Sequence, residues 1–73
     1  MDFVTQLADE LAKDALQAEA ELGDDRLIDQ LSTTLRASSM TLQEAFMTSV
    51  RIRRSEKAGR KWLANRIAKA KSD

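Results

Sequence analysis

Thr41–Lys71, TLQEAFMTSVRIRRSEKAGRKWLANRIAKAK, is the stretch that decides the fold. It is rich in good helix formers and opens with Thr41-x-x-Glu44. That spacing is a capping box, in which the threonine hydroxyl accepts from the N–H of Glu44 and the glutamate carboxylate accepts from the N–H of Thr41. As one helix, roughly 30 residues at ~1.5 Å each span ~45 Å, longer than a compact domain of this size requires. Leu42, Ala45, Phe46, Ser49 and Val50 share one face, and Leu63, Ile67 and Ala70 share a second, ~60° further round. A drift of this kind is what a seven-residue repeat generates, so the segment can supercoil against a neighbour. Between the faces lies Arg51–Gly59, RIRRSEKAG, and a glycine inside a helix costs ~1 kcal/mol relative to alanine. The segment is expected as one long helix or, with a kink or break near Ser55–Gly59, as two.

Working back toward the N-terminus, Ser38-Ser39-Met40 forms a short polar connection. Met40 is placed to act as a hydrophobic staple against Ala45. Before it, Leu27, Ile28, Leu31 and Leu35 make a narrow apolar stripe, which predicts a helix over about 25–37, capped by Asp24 or Asp25. A first helix over about 2–22 starts at an Asp2 cap and stops at Gly23. On a helical wheel Val4, Leu7, Leu11, Ala15, Ala18 and Leu22 form its core-facing stripe, with Phe3 and Ala8 on the flanks. Asp14 at the edge of that stripe and Leu16 outside it do not fit the pattern. The expected core is Val4, Leu7, Leu11, Leu22, Leu27, Ile28, Leu31, Leu35, Leu42, Phe46 and Val50.

These segments make an all-α fold: a small three-helix chain, or four-helix if the third segment divides, with two acidic helices packed on a long or kinked basic C-terminal helix. The whole chain of 73 residues has no proline and two glycines, and it reads as a single domain over 1–73. A domain this small buries only ~60% of the surface its unfolded chain exposes. With no cysteine and no histidine, neither a disulfide nor a structural zinc site of the usual ligands can staple it. Self-association, as a dimer in the first instance, or a partner is the remaining route. The chain lacks an apolar run long enough for a membrane span, and its first residues are acidic where a signal peptide carries positive charge. The expectation is a cytoplasmic protein without integral membrane association.

The formal net charge is zero, but it is unevenly distributed. Residues 1–31 hold nine acids against Lys13 and Arg26, a net of −7, and residues 32–73 hold ten bases against Glu44, Glu56 and Asp73, a net of +7. Such polarity between halves is the main functional clue.

Catalysis has little to stand on. No His, Cys or Tyr is present to act as nucleophile or base near neutral pH, and no glycine-rich loop is present to hold a phosphate. The pairs Asp9-Glu10 and Asp24-Asp25 read as solvated faces or caps, because adjacent helical residues point in different directions and acids favour helix starts. No catalytic residue, metal ligand or cofactor site is expected. The candidate contact residues are Arg51, Arg53, Arg54, Lys57, Arg60, Lys61, Trp62, Leu63, Arg66 and Ile67.

Three readings of that basic segment stand. Its charges pair with the acids of the first two helices, within one chain or across a dimer. Alternatively Arg51, Arg53, Arg54, Lys57, Arg60, Lys61 and Arg66 contact nucleic-acid phosphates, with Asn65 as base reader. Against this, the acidic half repels the same polyanion, and Trp62 is the one aromatic among the bases. In the third, Arg60–Lys71 with Trp62, Leu63 and Ile67 is an amphipathic helix for an acidic protein groove or an anionic membrane surface. Its short apolar arc suits a protein groove better. A helix-turn-helix over Leu27–Arg54 would place Glu44 in the first turn of the recognition helix, where it repels phosphate. The function expected is that of a non-enzymatic binding or regulatory protein that self-associates and presents the basic helix to a protein partner, with nucleic-acid binding as the alternative.

Overall fold

The computed structural model of the chain describes residues 2–72. Three helices account for nearly all of them: α1 (Phe3–Leu22), α2 (Leu27–Ser38) and α3 (Met40–Ser72). The two N-terminal helices and the first part of α3 pack together, and the rest of α3 extends beyond them.

Each helix boundary has a chemical cause. Asp2 lies in extended backbone and its Oδ1 accepts from the N–H of Thr5 at 2.7 Å, opening α1 as its N-cap. That hydrogen bond, with a second from the threonine side chain, holds the Asp2 carboxyl below the usual carboxylate range. At the other end Gly23 takes φ 62°, the left-handed conformation that only glycine adopts at little cost, and the chain leaves the helix there. Asp24 caps the following turn rather than α2, since its Oδ1 accepts from the N–H of Arg26 at 3.0 Å. As a result α2 begins at Leu27, two residues beyond the predicted start.

The junction of α2 and α3 turns on one residue. The N–H of Ser39 donates to the carbonyl of Leu35 at 2.7 Å, closing α2, while its Oγ accepts from the N–H of Leu42 at 3.1 Å, opening α3. Ser39, in extended backbone, is therefore the cap of α3. The capping box expected at Thr41–Glu44 does not form, because the helix has already begun at Met40. Nor does Met40 act as a staple, being 53% exposed. Beyond the junction α3 runs unbroken through Ser55–Gly59, so the described residues form three helices and not four.

The core is small and built largely on alanine. Ala8, Ala12 and Ala15 of α1, Ile28 of α2, and Phe46 and Val50 of α3 are buried, with Leu11, Leu16, Leu27, Leu31, Leu35 and Leu42 among the residues packed around them. The alanine face lets α1 approach the large side chains of the other two helices closely, where a leucine face would hold them apart. The buried face of α1 is thus turned by roughly 70° from the predicted stripe. Val4 and Leu7 are 36% and 42% exposed and Leu22 is 71% exposed. Leu16, outside the predicted stripe, packs against the core.

Candidate binding surface

Ten residues of α3 were expected to make contacts, and they divide according to where the helix leaves the body. Arg53 is the last residue of α3 that is not exposed, and every described residue from Arg54 to Ser72 is exposed. At ~1.5 Å per residue those 19 positions reach roughly 28 Å past the anchored part.

Two arginines at the point of departure are engaged within the chain. Arg53 donates from Nε and Nη2 to the two carboxylate oxygens of Asp9, each at 2.9 Å. The hydrogen bond from Arg53 pulls the Asp9 carboxyl below its usual range, and Asp9 raises Arg53 in return. Arg54 reaches Glu19 with Nη2 at 3.3 Å. Arg60 pairs with Glu56 one turn back on its own helix. Arg51, Lys57, Lys61 and Arg66 are exposed and make no ion pair among the described residues. The charge-pairing reading therefore describes Arg53 and Arg54, while the cations further along remain turned to solvent.

The apolar candidates are also open. Trp62 is 66%, Leu63 52% and Ile67 46% exposed, and Ile52 nearer the body is 63% exposed. Leu63 lies eleven residues after Ile52, three turns to within ~20°, so Ile52, Leu63 and Ala70 fall along one line of the helix with Ile67 beside them.

Between α1 and α3 lies an open groove of about 410 Å³, lined by Thr5, Asp9, Ala45, Thr48, Ser49 and Ile52. Ala45, Ser49 and Ile52 follow the same 4-3 spacing that continues to Leu63 and Ala70, so the groove and the exposed stripe are one seam. That spacing was legible; the wall supplied by Thr5 and Asp9 was not, because it depends on which face α1 turns inward.

The described residues contain no group of three or more His, Cys, Asp or Glu side chains arranged to hold a metal ion, and no helix long and apolar enough to cross a membrane. Comparison with protein-family models, curated proteins and solved structures finds no match.

Proposed function

We propose that this chain is a non-enzymatic binding or regulatory module that self-associates and presents the basic C-terminal half of α3 to an acidic protein partner in the cytoplasm. The observation that carries this reading is the unburied surface. The accessible area is 5823 Å², whereas a compact monomer of 8.2 kDa exposes roughly 4,500 Å². The excess of roughly 1,300 Å² exceeds the ~800 Å² that each partner contributes to a standard interface. The radius of gyration agrees, at 15.3 Å against ~11 Å for a compact domain of this length. Three large side chains, Phe46, Ile28 and Val50, are fully buried, while nine large hydrophobics are exposed. A chain with so little core gains stability from whatever covers its apolar faces.

A second reading, nucleic-acid binding through phosphate contacts, is favoured by the exposed cations Lys57, Lys61, Arg66, Lys69 and Lys71. It is weakened by the engagement of Arg53 and Arg54 with Asp9 and Glu19. Sedimentation at micromolar concentration tests self-association, and a clean 8 kDa species would remove it. A pull-down from lysate with and without nuclease treatment separates the partners. Capture that survives nuclease supports the protein partner, and capture lost with nuclease supports the alternative.

A further inference from the structure

We infer that two copies pair through an antiparallel α3–α3 seam, in which the basic overhang of each copy lies in the α1–α3 groove of the other. This rests on the self-association reading above and gives it a geometry. The seam is self-complementary only when the helices run in opposite directions about a two-fold axis near Lys57 and Ala58. In that register Leu63 of the copy meets Ile52, Ile67 falls beside Thr48, and Ala70 falls beside Ala45. Ile52, Thr48 and Ala45 are three of the six residues lining the groove. The side chains that are exposed in one chain thus fill the space left open in the other.

The register also accounts for the weak middle of the seam. Glu56 comes opposite Gly59, where a Cβ would meet nothing within 4 Å in the single chain, so the carboxylate has room at the axis. A parallel pairing instead sets Glu56 against Glu56 and Arg66 against Arg66, so that both charged positions of the seam meet a like charge.

Charge favours the antiparallel arrangement a second time. The overhang, residues 55–72, carries six bases against Glu56. The α1 wall of the groove it enters carries Asp9 beside Thr5, within a half of the chain whose net charge is −7. Lys57, Lys61 and Lys69 lie on the opposite side of α3 from Leu63, so a basic face remains presented after pairing. A reciprocal interface of this kind is isologous and closes at two copies.

The chain has no cysteine, which makes site-specific cross-linking a direct test. Ile52 and Leu63 are roughly 16 Å apart along one helix, too far for a disulfide within a chain. The double variant Ile52→Cys/Leu63→Cys is expected to oxidise to a covalent dimer, and an equimolar mixture of the two single variants to a heterodimer. Each single variant alone is expected to remain uncross-linked. Self-cross-linking of either single variant would overturn the antiparallel register. A chain that sediments as a dimer yet yields no cross-link with the double variant would overturn this seam while leaving self-association standing. A monomer in sedimentation removes both. As an independent variant, Ala70→Glu at an exposed position would bury a carboxylate beside Ala45 of the partner copy and is expected to weaken dimerisation about tenfold or more. Unchanged dimerisation in that variant, with helicity intact by circular dichroism, would also reject the seam.

Discussion

Arg53 of α3 grips Asp9 of α1 through both prongs of its guanidinium, Nε to Oδ1 and Nη2 to Oδ2, each at 2.9 Å. The pair joins helices 44 positions apart in sequence at the point where α3 leaves the body. Planar matching of guanidinium and carboxylate makes this a directional contact rather than a loose attraction. With the two side chains 36% and 35% exposed, it remains within reach of salt.

Replacing either partner, as Asp9→Asn or Arg53→Gln, is therefore expected to lower the melting temperature in low salt. The difference from the parent should shrink once ionic strength brings the screening length to ~10 Å, at about 0.1 M. Lysine at position 53 should restore only part of the loss, because an ammonium cannot make the two parallel hydrogen bonds. Thermal melts at several salt concentrations check this. Melting curves that coincide with the parent at low salt would refute it.

The same pair sets part of the acid stability. The carboxyls of Asp9 and Asp2 are held below their ordinary range in the folded chain, chiefly by the Arg53 hydrogen bond and the Thr5 N–H. A carboxyl whose folded pKa lies below its unfolded value of about 3.9 contributes stability that is present above that value and lost as the pH falls through the folded pKa. Stability is expected to be level between pH 5 and 8, where the chain has no histidine to titrate, and to decline below about pH 4. Asp9→Asn should soften that decline. Melting temperature against pH for parent and variant provides the measurement.

Packing makes a sharper distinction on α1. Ala12 is fully buried, so Ala12→Leu should overpack the contact with α2 and α3 and cost about 1–3 kcal/mol. Leu7, on the predicted stripe but 42% exposed, should lose less than about 1 kcal/mol on conversion to alanine. The wheel predicts the opposite order. Denaturant unfolding of the two variants decides between them.

That contrast marks where the sequence was readable. The all-helical class, the Asp2 cap, the Gly23 stop and the core residues Ile28, Phe46 and Val50 follow from local chemistry and from apolar spacing, which act within a few residues. The face of α1 followed only in part: Leu11 and Ala15 of the stripe and Ala8 on its flank lie in or against the core, but the buried face is centred on Ala12, because a wheel weights leucine over alanine, whereas three alanines on one side fit against the bulk of Phe46, Ile28 and Val50. Leu16, outside the stripe, was the residue that signalled the other face. α3 starts at Met40, one residue before Thr41, since Ser39 and Thr41 are both good caps and the choice is made by Leu35, whose carbonyl takes the Ser39 N–H. The partners of Arg53 and Arg54, at separations of 44 and 35 positions, are set by tertiary packing alone.

The two glycines should respond in opposite directions. Gly23→Ala forces a Cβ into left-handed backbone at φ 62° and should cost about 1–2 kcal/mol. Gly59→Ala lies in the middle of α3 with open space around it and should stabilise the helix by about 1 kcal/mol. Helicity by circular dichroism and thermal midpoints, read on both variants, check the pair. A stabilising Gly23→Ala would contradict the end of α1 described above.

The cations of α3 divide into anchors and free charges, and substitutions should separate them. Arg53 and Arg54 hold Asp9 and Glu19, so Arg53→Gln/Arg54→Gln is expected to lower the low-salt melting temperature. Lys57 and Lys61 are exposed and unpaired among the described residues, so Lys57→Gln/Lys61→Gln should leave folding within about 0.5 kcal/mol of the parent, as surface substitutions usually do. Its effect should fall on binding instead. With an acidic protein partner, loss of rim charges mainly slows association and reduces its salt dependence. With duplex DNA, each lost phosphate contact lowers the slope of log affinity against log salt by ~0.9, whatever the base sequence. Binding to random duplex DNA and to the nuclease-resistant partner, each titrated over a range of salt, distinguishes the two. Unchanged binding to both by the Lys57/Lys61 variant would exclude these two lysines as contacts and leave Trp62, exposed and not part of the α3–α3 seam, as the residue to alter next.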